Sequence, residues 1–245
     1  MTLPILETAS YELTLPSTDT KITFRPFIVR EEKILLQALE SGESKQIVKA
    51  IKDIVHVCTF KAVNVENLPT FDLEYIFLQI RAKSVGEVAK LKVKCPDDNE
   101  TFATVEVDLS KVEVHVDDDH TNKVVIDEAK NIGLVMKYPT IDSVDPAVSA
   151  KTQQTAKLFE IIINSIDTIF EGDKVMPAAD YSKEELNKFV EQLDSNAFGK
   201  MQKFFASMPR LKHDVEVTNP KTQVKSTVTL QGLVDFFESP SRMTA

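Results

Sequence analysis

One stretch of the sequence, FDLEYIFLQIRAKSVGEV at 71–88, is apolar on two sides of a helix at once. At 3.6 residues per turn, two apolar stripes run along opposite sides, and polar residues fill the seams between them. The first stripe is Phe71, Tyr75, Leu78 and Ala82, and the second is Leu73, Ile76, Phe77 and Ile80. A surface helix has one apolar face and one wet face. This helix therefore needs cover on both sides, either from its own chain or from another protein.

Around this stretch, helices and hairpins occupy separate parts of the chain. Alternating residues at 10–15 and 21–28 predict an N-terminal β-hairpin. Helical spacing predicts helices at 30–40 and 43–57, and Thr70 is a predicted N-cap of the central helix. From residue 87 the apolar period changes to two, which predicts a β-rich region with a hairpin that turns at CPDDNET. Helical spacing then returns at 152–170, 182–193 and 195–208, before a second hairpin that turns at NPKT. Ser182 and Glu185 have the spacing of a capping box and predict the start of the helix at 182–193.

This order predicts an α+β fold, with antiparallel hairpins segregated from the helices instead of alternating with them in βαβ units. Three regions follow from the pattern: a hairpin and helical region at 1–86, a β-rich region at 87–140, and a helical region with a terminal hairpin at 141–245. One continuous domain is the alternative, since 245 residues suit one large domain or two small ones.

Composition limits the classes of function. The net charge of −9 makes nucleic acid an unfavourable direct partner, because phosphate binding needs basic patches. No segment approaches about 18 consecutive apolar residues, so no membrane span is expected. The N-terminus has no basic region before an apolar run and predicts no secretory signal. Cys58 and Cys95 belong to no CxxC pair, which favours two reduced thiols in a cytosolic protein.

The sequence offers little for a reaction centre. It contains no GxGxxG, GxxxxGK[ST] or GxSxG motif. KCPDDNE resembles half of a zinc-ribbon knuckle, but aspartates stand where the second cysteine is needed, and the NPKT turn has no cysteine. We therefore expect packing to hold the hairpins, with no bound metal and no cofactor. In HVDDDHT, the residues from His115 to His120 are a candidate for a divalent ion, and a solvated acidic turn is the simpler interpretation.

Several stretches together resemble one family of viral proteins. These are FRPFIVREEKILLQALES (24–41), LPTFDLEYIFLQIRAKSVGEV (68–88), VKCPDDNE (93–100) and IGLVMKYPT (132–140). They are similar to the baseplate hub and hub assembly proteins of T-even-type bacteriophages, which have contractile tails. The resemblance implies a protein made in the bacterial host cytoplasm, with other baseplate hub proteins as partners and a place in the tail baseplate or its assembly. It carries over no catalytic residue.

We therefore expect a non-enzymatic hub subunit or assembly factor that acts by binding other proteins. The alternatives are a small metal-dependent enzyme that uses the loop from His115 to His120, and a general chaperone-like adaptor. Near the C-terminus, GLVDFF places two adjacent phenylalanines in a short apolar segment, which either docks back on the domain or anchors a partner. The predicted partner-binding residues are Phe71, Tyr75, Leu78, Phe236 and Phe237. The sequence leaves the oligomeric state of the protein open.

Overall fold

The structure is a computed structural model that describes residues 8–143 and 154–236. Its elements are, in chain order, β1 (Tyr11–Thr14), β2 (Lys21–Phe24), α1 (Val29–Ser41), α2 (Ser44–Cys58), α3 (Thr70–Val85), β3 (Val88–Lys94), β4 (Phe102–Asp108), β5 (Glu113–His115), β6 (Lys123–Asp127), β7 (Ile132–Met136), α4 (Gln154–Asn164), β8 (Ile166–Glu171), β9 (Lys174–Pro177), α5 (Lys183–Glu191), α6 (Ser195–Ser207), β10 (Arg210–Thr218), β11 (Lys225–Gln231) and α7 (Gly232–Asp235). Among the described residues, helices coexist with small antiparallel sheets and no βαβ unit occurs, so the predicted α+β class is confirmed.

The chain divides into two compact units. The first unit combines Met1–His115 with Arg210–Ala245, and the second is Val116–Pro209. The first unit is therefore built from two stretches of chain, and the second unit is one continuous stretch between them. The three regions predicted from the sequence stay a prediction, because they divide the chain by local pattern and not by compactness.

The first unit contains two hairpins and a three-stranded sheet. β1 pairs with β2, β3 pairs with β4, and β10 lies between β5 and β11, all antiparallel. In β3 every second side chain is buried, as strict alternation in the sequence requires. Arg210 pairs with His115 in the register of β10 and β5, so the two stretches of the first unit meet in one sheet. The predicted N-terminal hairpin is confirmed by the pairing of β1 with β2.

Helix α3 is covered on both sides by its own chain. α2, β5, β10, α7 and a short 3-10 helix at Leu109–Lys111 all contact it. Along α3 the side chains of both apolar stripes are buried except that of Tyr75, which is half-buried. Burying a large aliphatic or aromatic side chain contributes about 1.5–3 kcal/mol. Of the two possibilities for covering this helix, the intramolecular one is confirmed.

The start of α3 differs from the prediction. Thr70 is the first residue of the helix and Pro69 occupies the N-cap position, with no capping hydrogen bond from a side chain. The carbonyl of Pro69 accepts the backbone N–H groups of Asp72 and Leu73. The prediction that Thr70 caps the helix is wrong, because the fixed φ of proline already prepares the chain to enter the helix one residue earlier.

The second unit is a four-stranded antiparallel meander, β6-β7-β8-β9, with α4, α5 and α6. Its core joins the sheet to all three helices through residues such as Leu134, Ile162, Leu186 and Phe204. Ser182 and Glu185 form the capping box predicted for α5, with Ser182 N–H donating to Glu185 at 2.8 Å.

The predicted helix at 152–170 is wrong beyond Asn164. Residues 152 and 153 lie outside the described residues, and α4 ends at Asn164. From Ile166 the chain is strand β8, which pairs with β7. A continuous apolar run such as FEIIINSIDTIF fits a buried helix or a buried strand equally well, and pairing with β7 decides between them. Gly133 permits this pairing, because a Cβ there would lie 2.3 Å from the ring of Phe170.

We predict that Ile76→Asp abolishes the cooperative fold. Ile76 is fully buried in α3, and an unpaired buried charge costs several kcal/mol, which is comparable with the whole stability of a domain. The matched control is Ile34→Asp, the same substitution at an isoleucine of α1 that is 43% exposed. Thermal unfolding followed by circular dichroism tests both variants. A wild-type melting curve for Ile76→Asp would contradict the buried position of this face.

Candidate functional site

The structure places four of the five predicted partner-binding residues. Phe71, Leu78 and Phe236 are buried inside the first unit, and Tyr75 is half-buried. Phe237 lies outside the described residues. The docked position of Phe236 shows that the described part of the C-terminal segment packs on its own unit. Contact between any of the five residues and a partner protein stays a prediction.

The C-terminal segment is held on α3 by Glu74. The backbone N–H of Leu233 donates a hydrogen bond of 3.1 Å to Oε1 of Glu74. Gly232 has a φ of 67°, and a Cβ at this position would lie 3.3 Å from the same carboxylate oxygen. Glycine therefore allows both the left-handed turn and the close approach of the carboxylate. Asp235 closes the turn by accepting the N–H of Gln231 at 2.7 Å.

Glu74 is an unusual carboxyl group for this position. Burial under the C-terminal segment raises its pKa from 4.5 to about 7, the hydrogen bond from Leu233 opposes this change, and the nearby charge of Asp235 reinforces it. In the sequence, Glu74 is one of the polar residues in the seams between the two apolar stripes, a position that predicts no role for it. No local signal could have revealed the role, because its partner is 159 residues away along the chain.

The acidic loop after β5 is organised by His120. Its Nδ1 lies 3.0 Å from Oγ of Ser207 and its Nε2 lies 2.9 Å from the hydroxyl of Tyr138. The imidazole also stacks on the ring of Tyr138. Burial lowers the pKa of His120, while Asp117 and Asp119 oppose this change. Both ring nitrogens are therefore engaged within the second unit.

Two of the remaining members of the predicted metal loop, Asp117 and Asp119, act on His120 through their charges. His115 ends strand β5 in the first unit, whereas His120 belongs to the second. Asp119 forms an ion pair with Lys203 at 2.5 Å. Within residues 8–143 and 154–236, no group of three or more His, Cys, Asp or Glu side chains is arranged to hold a metal ion. The geometry gives no support to the metal-dependent enzyme considered from the sequence.

The tips of two hairpins meet in a polar junction. Asn219, at the end of β10, is 1% exposed, and its Nδ2 donates to both carboxylate oxygens of Asp97 at 2.9 and 3.0 Å. The same amide nitrogen lies 3.1 Å from Oδ2 of Asp98. Thr222 donates its hydroxyl to Asp97 at 2.5 Å. The expectation that packing alone holds the hairpins is therefore incomplete, because a buried amide also joins them.

The hydrogen bonds of this junction fix its ionisation. The bonds from Asn219 and Thr222 hold the pKa of Asp97 below its usual value. The bond from the Thr101 side chain, with the backbone N–H groups of Glu100 and Thr101, holds the pKa of Asp98 well below its usual value. Both carboxylates are charged at neutral pH. Cys95 lies buried beside them as a free thiol, and burial raises its pKa.

Replacing Glu74 with glutamine should make stability less dependent on pH. The folded state holds the Glu74 proton more tightly than the unfolded chain does, so its contribution is full below about pH 4.5 and is lost as pH rises through about 7. The melting temperature of the wild type should fall relative to Glu74→Gln between pH 5 and pH 8. Glu216→Gln, at an exposed position in the same unit, is the control and should follow the wild type. Parallel curves for all three proteins would refute the role of Glu74.

Asn219→Ala should destabilise the first unit by about 2–3 kcal/mol, because it removes the bonds of a buried amide to two charged acceptors and the acceptor of two backbone N–H groups. The side-chain oxygen of Asn219 accepts the N–H groups of Lys221 and Thr222 at 2.8 and 3.3 Å. The matched control is Asn67→Ala, at an exposed asparagine of the same unit. Denaturant unfolding measures the difference, and equal stability of the two variants would contradict the structural importance of the junction.

Comparison with known proteins gives one match. The family described as "T4 bacteriophage base plate protein" matches residues 8–238, which is nearly the whole chain. Neither the curated proteins nor the solved structures give a match. The family match confirms the resemblance to baseplate proteins of T4-type phages that the sequence suggested. Because the match covers far more than half of the chain, this protein belongs to the T4 bacteriophage base plate protein family.

Proposed function

We propose that this protein is a non-enzymatic subunit or assembly factor of the baseplate hub, and that it acts by binding other hub proteins. Membership of the baseplate family supports this proposal, because the family is one of phage base plate proteins. Synthesis in the host cytoplasm, with action on the hub during baseplate assembly, is part of the same proposal. None of the described helices has both the length and the apolar character that a membrane crossing requires.

A candidate binding surface lies where the start of α1 meets the end of α3. The backbone N–H of Phe27 donates to Oγ of Ser84 at 2.9 Å, which brings these two elements together. The residues that flank this bond are apolar and exposed: Val29 is 78% exposed and Val85 is 56% exposed, with Ile28 and Val88 also exposed. Exposed apolar side chains that are grouped in this way are typical of protein–protein contacts. The partner would be a hub protein with a complementary apolar patch.

This surface provides a cleaner test than the phenylalanines named from the sequence. Phe236 is fully buried, and replacing a buried phenylalanine with alanine costs about 3–5 kcal/mol. A loss of binding in Phe236→Ala would therefore follow from unfolding as easily as from a lost contact. Tyr75 and Phe237 remain proposed contacts, and the exposed valines can be changed without opening the core.

We predict that Val29→Gln with Val85→Gln leaves the melting temperature nearly unchanged and weakens capture of the partner roughly tenfold or more, as expected for loss of anchoring side chains. Tagged wild-type and variant proteins are purified from infected cells, and the captured proteins are identified by mass spectrometry. The control is Val175→Gln, at a 66% exposed valine of the second unit. Equal capture by wild type and double variant would remove this surface from the proposal.

Two outcomes of the same experiment separate the functional alternatives. Recovery of one or a few phage baseplate proteins supports a hub role, whereas recovery of many host proteins in place of phage proteins indicates a general adaptor and contradicts it. Testing purified virions for this protein then distinguishes a hub subunit from an assembly factor. A subunit is present in the finished particle, and an assembly factor is captured from infected cells but absent from virions.

A further inference from the structure

The tips of the β3–β4 and β10–β11 hairpins have the same backbone design over their first five residues, although the first tip is one residue longer before it closes. In the first tip, the N–H of Cys95 bonds to the carbonyl of Thr101 at 2.8 Å, and the N–H of Asn99 bonds back to the carbonyl of Cys95 at 3.0 Å. In the second tip, Asn219 bonds to Val224 and Gln223 bonds back to Asn219, both at 2.9 Å. Proline follows the first residue in both tips. The two turns are therefore equivalent, with Cys95 matching Asn219.

The fifth residue of each tip strengthens this equivalence. Asn99 has a φ of 55° and Gln223 a φ of 62°, so both adopt the left-handed conformation. Each also donates its side-chain amide to the carbonyl of the preceding proline, at 3.2 Å for Asn99 and 3.0 Å for Gln223. The bond from the fifth residue back to the first, the proline at the second position and the amide closure are common to both turns, so their first five residues have one architecture.

The side chains at the first and fourth positions of each turn have the spacing of metal ligands. These positions are 95 and 98 in one tip and 219 and 222 in the other, which is the C-x2-C spacing of a zinc knuckle in both. The fourth residues also have the same local role: Asp98 accepts the N–H of Glu100, and Thr222 accepts the N–H of Val224. Such bonds are the kind that orient ligands around a metal.

The two tips also face each other at a distance that suits a shared ion. Asp98 and Asn219, from opposite tips, approach to 3.1 Å between Oδ2 and Nδ2. Ligand atoms around tetrahedral zinc with four thiolates lie about 3.8 Å apart, because each Zn–S bond is about 2.3 Å long. This pair, with one side chain from each tip, is thus within the range that one ion would bridge.

We propose that the paired tips are a four-position metal clamp in which hydrogen bonds take the place of the ion, with residues 95, 98, 219 and 222 at the ligand positions. Asn219 presents N–H donors to the carboxylates, and its orientation is fixed because its oxygen accepts the N–H groups of Lys221 and Thr222. The hydroxyl of Thr222 likewise donates to Asp97. The bond from Asn219 to Asp98 joins two of the four positions directly, and the bonds from Asn219 and Thr222 to the neighbouring Asp97 complete the link between the tips.

The test places a metal-binding thiol at each of the four positions. The variant Asp98→Cys, Asn219→Cys, Thr222→Cys combines with the native Cys95 to give four cysteines at clamp positions. The control Asp97→Cys, Asn219→Cys, Lys221→Cys also contains four cysteines at the tips, with two of them shifted by one residue. We expect the first variant to bind one equivalent of Co2+ with the visible spectrum of tetrahedral thiolate coordination, and to gain melting temperature with Zn2+. The control should bind more weakly, by at least tenfold.

Two results would overturn the proposal. One is a folded clamp variant that binds Co2+ no better than the control, or without the tetrahedral spectrum. The other is a clamp variant that is unfolded without metal and stays unfolded after reduction and refolding with Zn2+, since a correctly spaced clamp gains folding free energy from the ion. A variant that is unfolded without metal but folds on adding Zn2+ supports the proposal as directly as a gain in melting temperature does.

Discussion

The burial of α3 on both sides is the constraint on which the first unit depends. A helix with a single apolar face is buried by one layer of neighbouring elements, but α3 has two apolar faces and needs a layer on each side. One part of its cover, α2, is close by in the sequence, whereas β10 and α7 come from the far end of the chain. Glu74 adds a polar bond to this second layer by accepting the N–H of Leu233. The apolar demand of one helix thus explains why two distant stretches form one unit.

The sequence predicts those parts of the fold that local rules control. Period-two alternation gives the hairpins, and the capping box at Ser182 gives the start of α5. The prediction fails at 165–170, where an apolar run fits helix and strand alike and only pairing with β7 decides. It also fails at Thr70, where the preceding proline takes over the entry to α3.

The hydrogen bonds of three buried or half-buried polar side chains could not be predicted from the sequence, for a different reason. Glu74, Asn219 and His120 each act through a partner that is remote in the sequence, and nothing in their own neighbourhood distinguishes them from solvated residues. The partial likeness of KCPDDNE to a zinc knuckle was visible, but its counterpart at NPKT has no cysteine to indicate the match. Only the shared backbone bonds of the two tips show that they are equivalent. The place of the chain among base plate proteins, in contrast, follows from the family match and not from any of these centres, and the protein-binding role is proposed on that basis.

The split construction of the first unit also sets the order of events on the ribosome. Helix α3 is complete once Val85 has emerged, but β10 begins at Arg210 and the whole second unit is synthesised in between. At about 5–20 residues per second, this interval lasts on the order of ten seconds. During that time one apolar side of α3 lacks its final cover, although the second unit is continuous and can fold. While the chain is being synthesised, α3 therefore exposes an apolar side that can bind other proteins. In the completed protein, β10 and α7 cover that side.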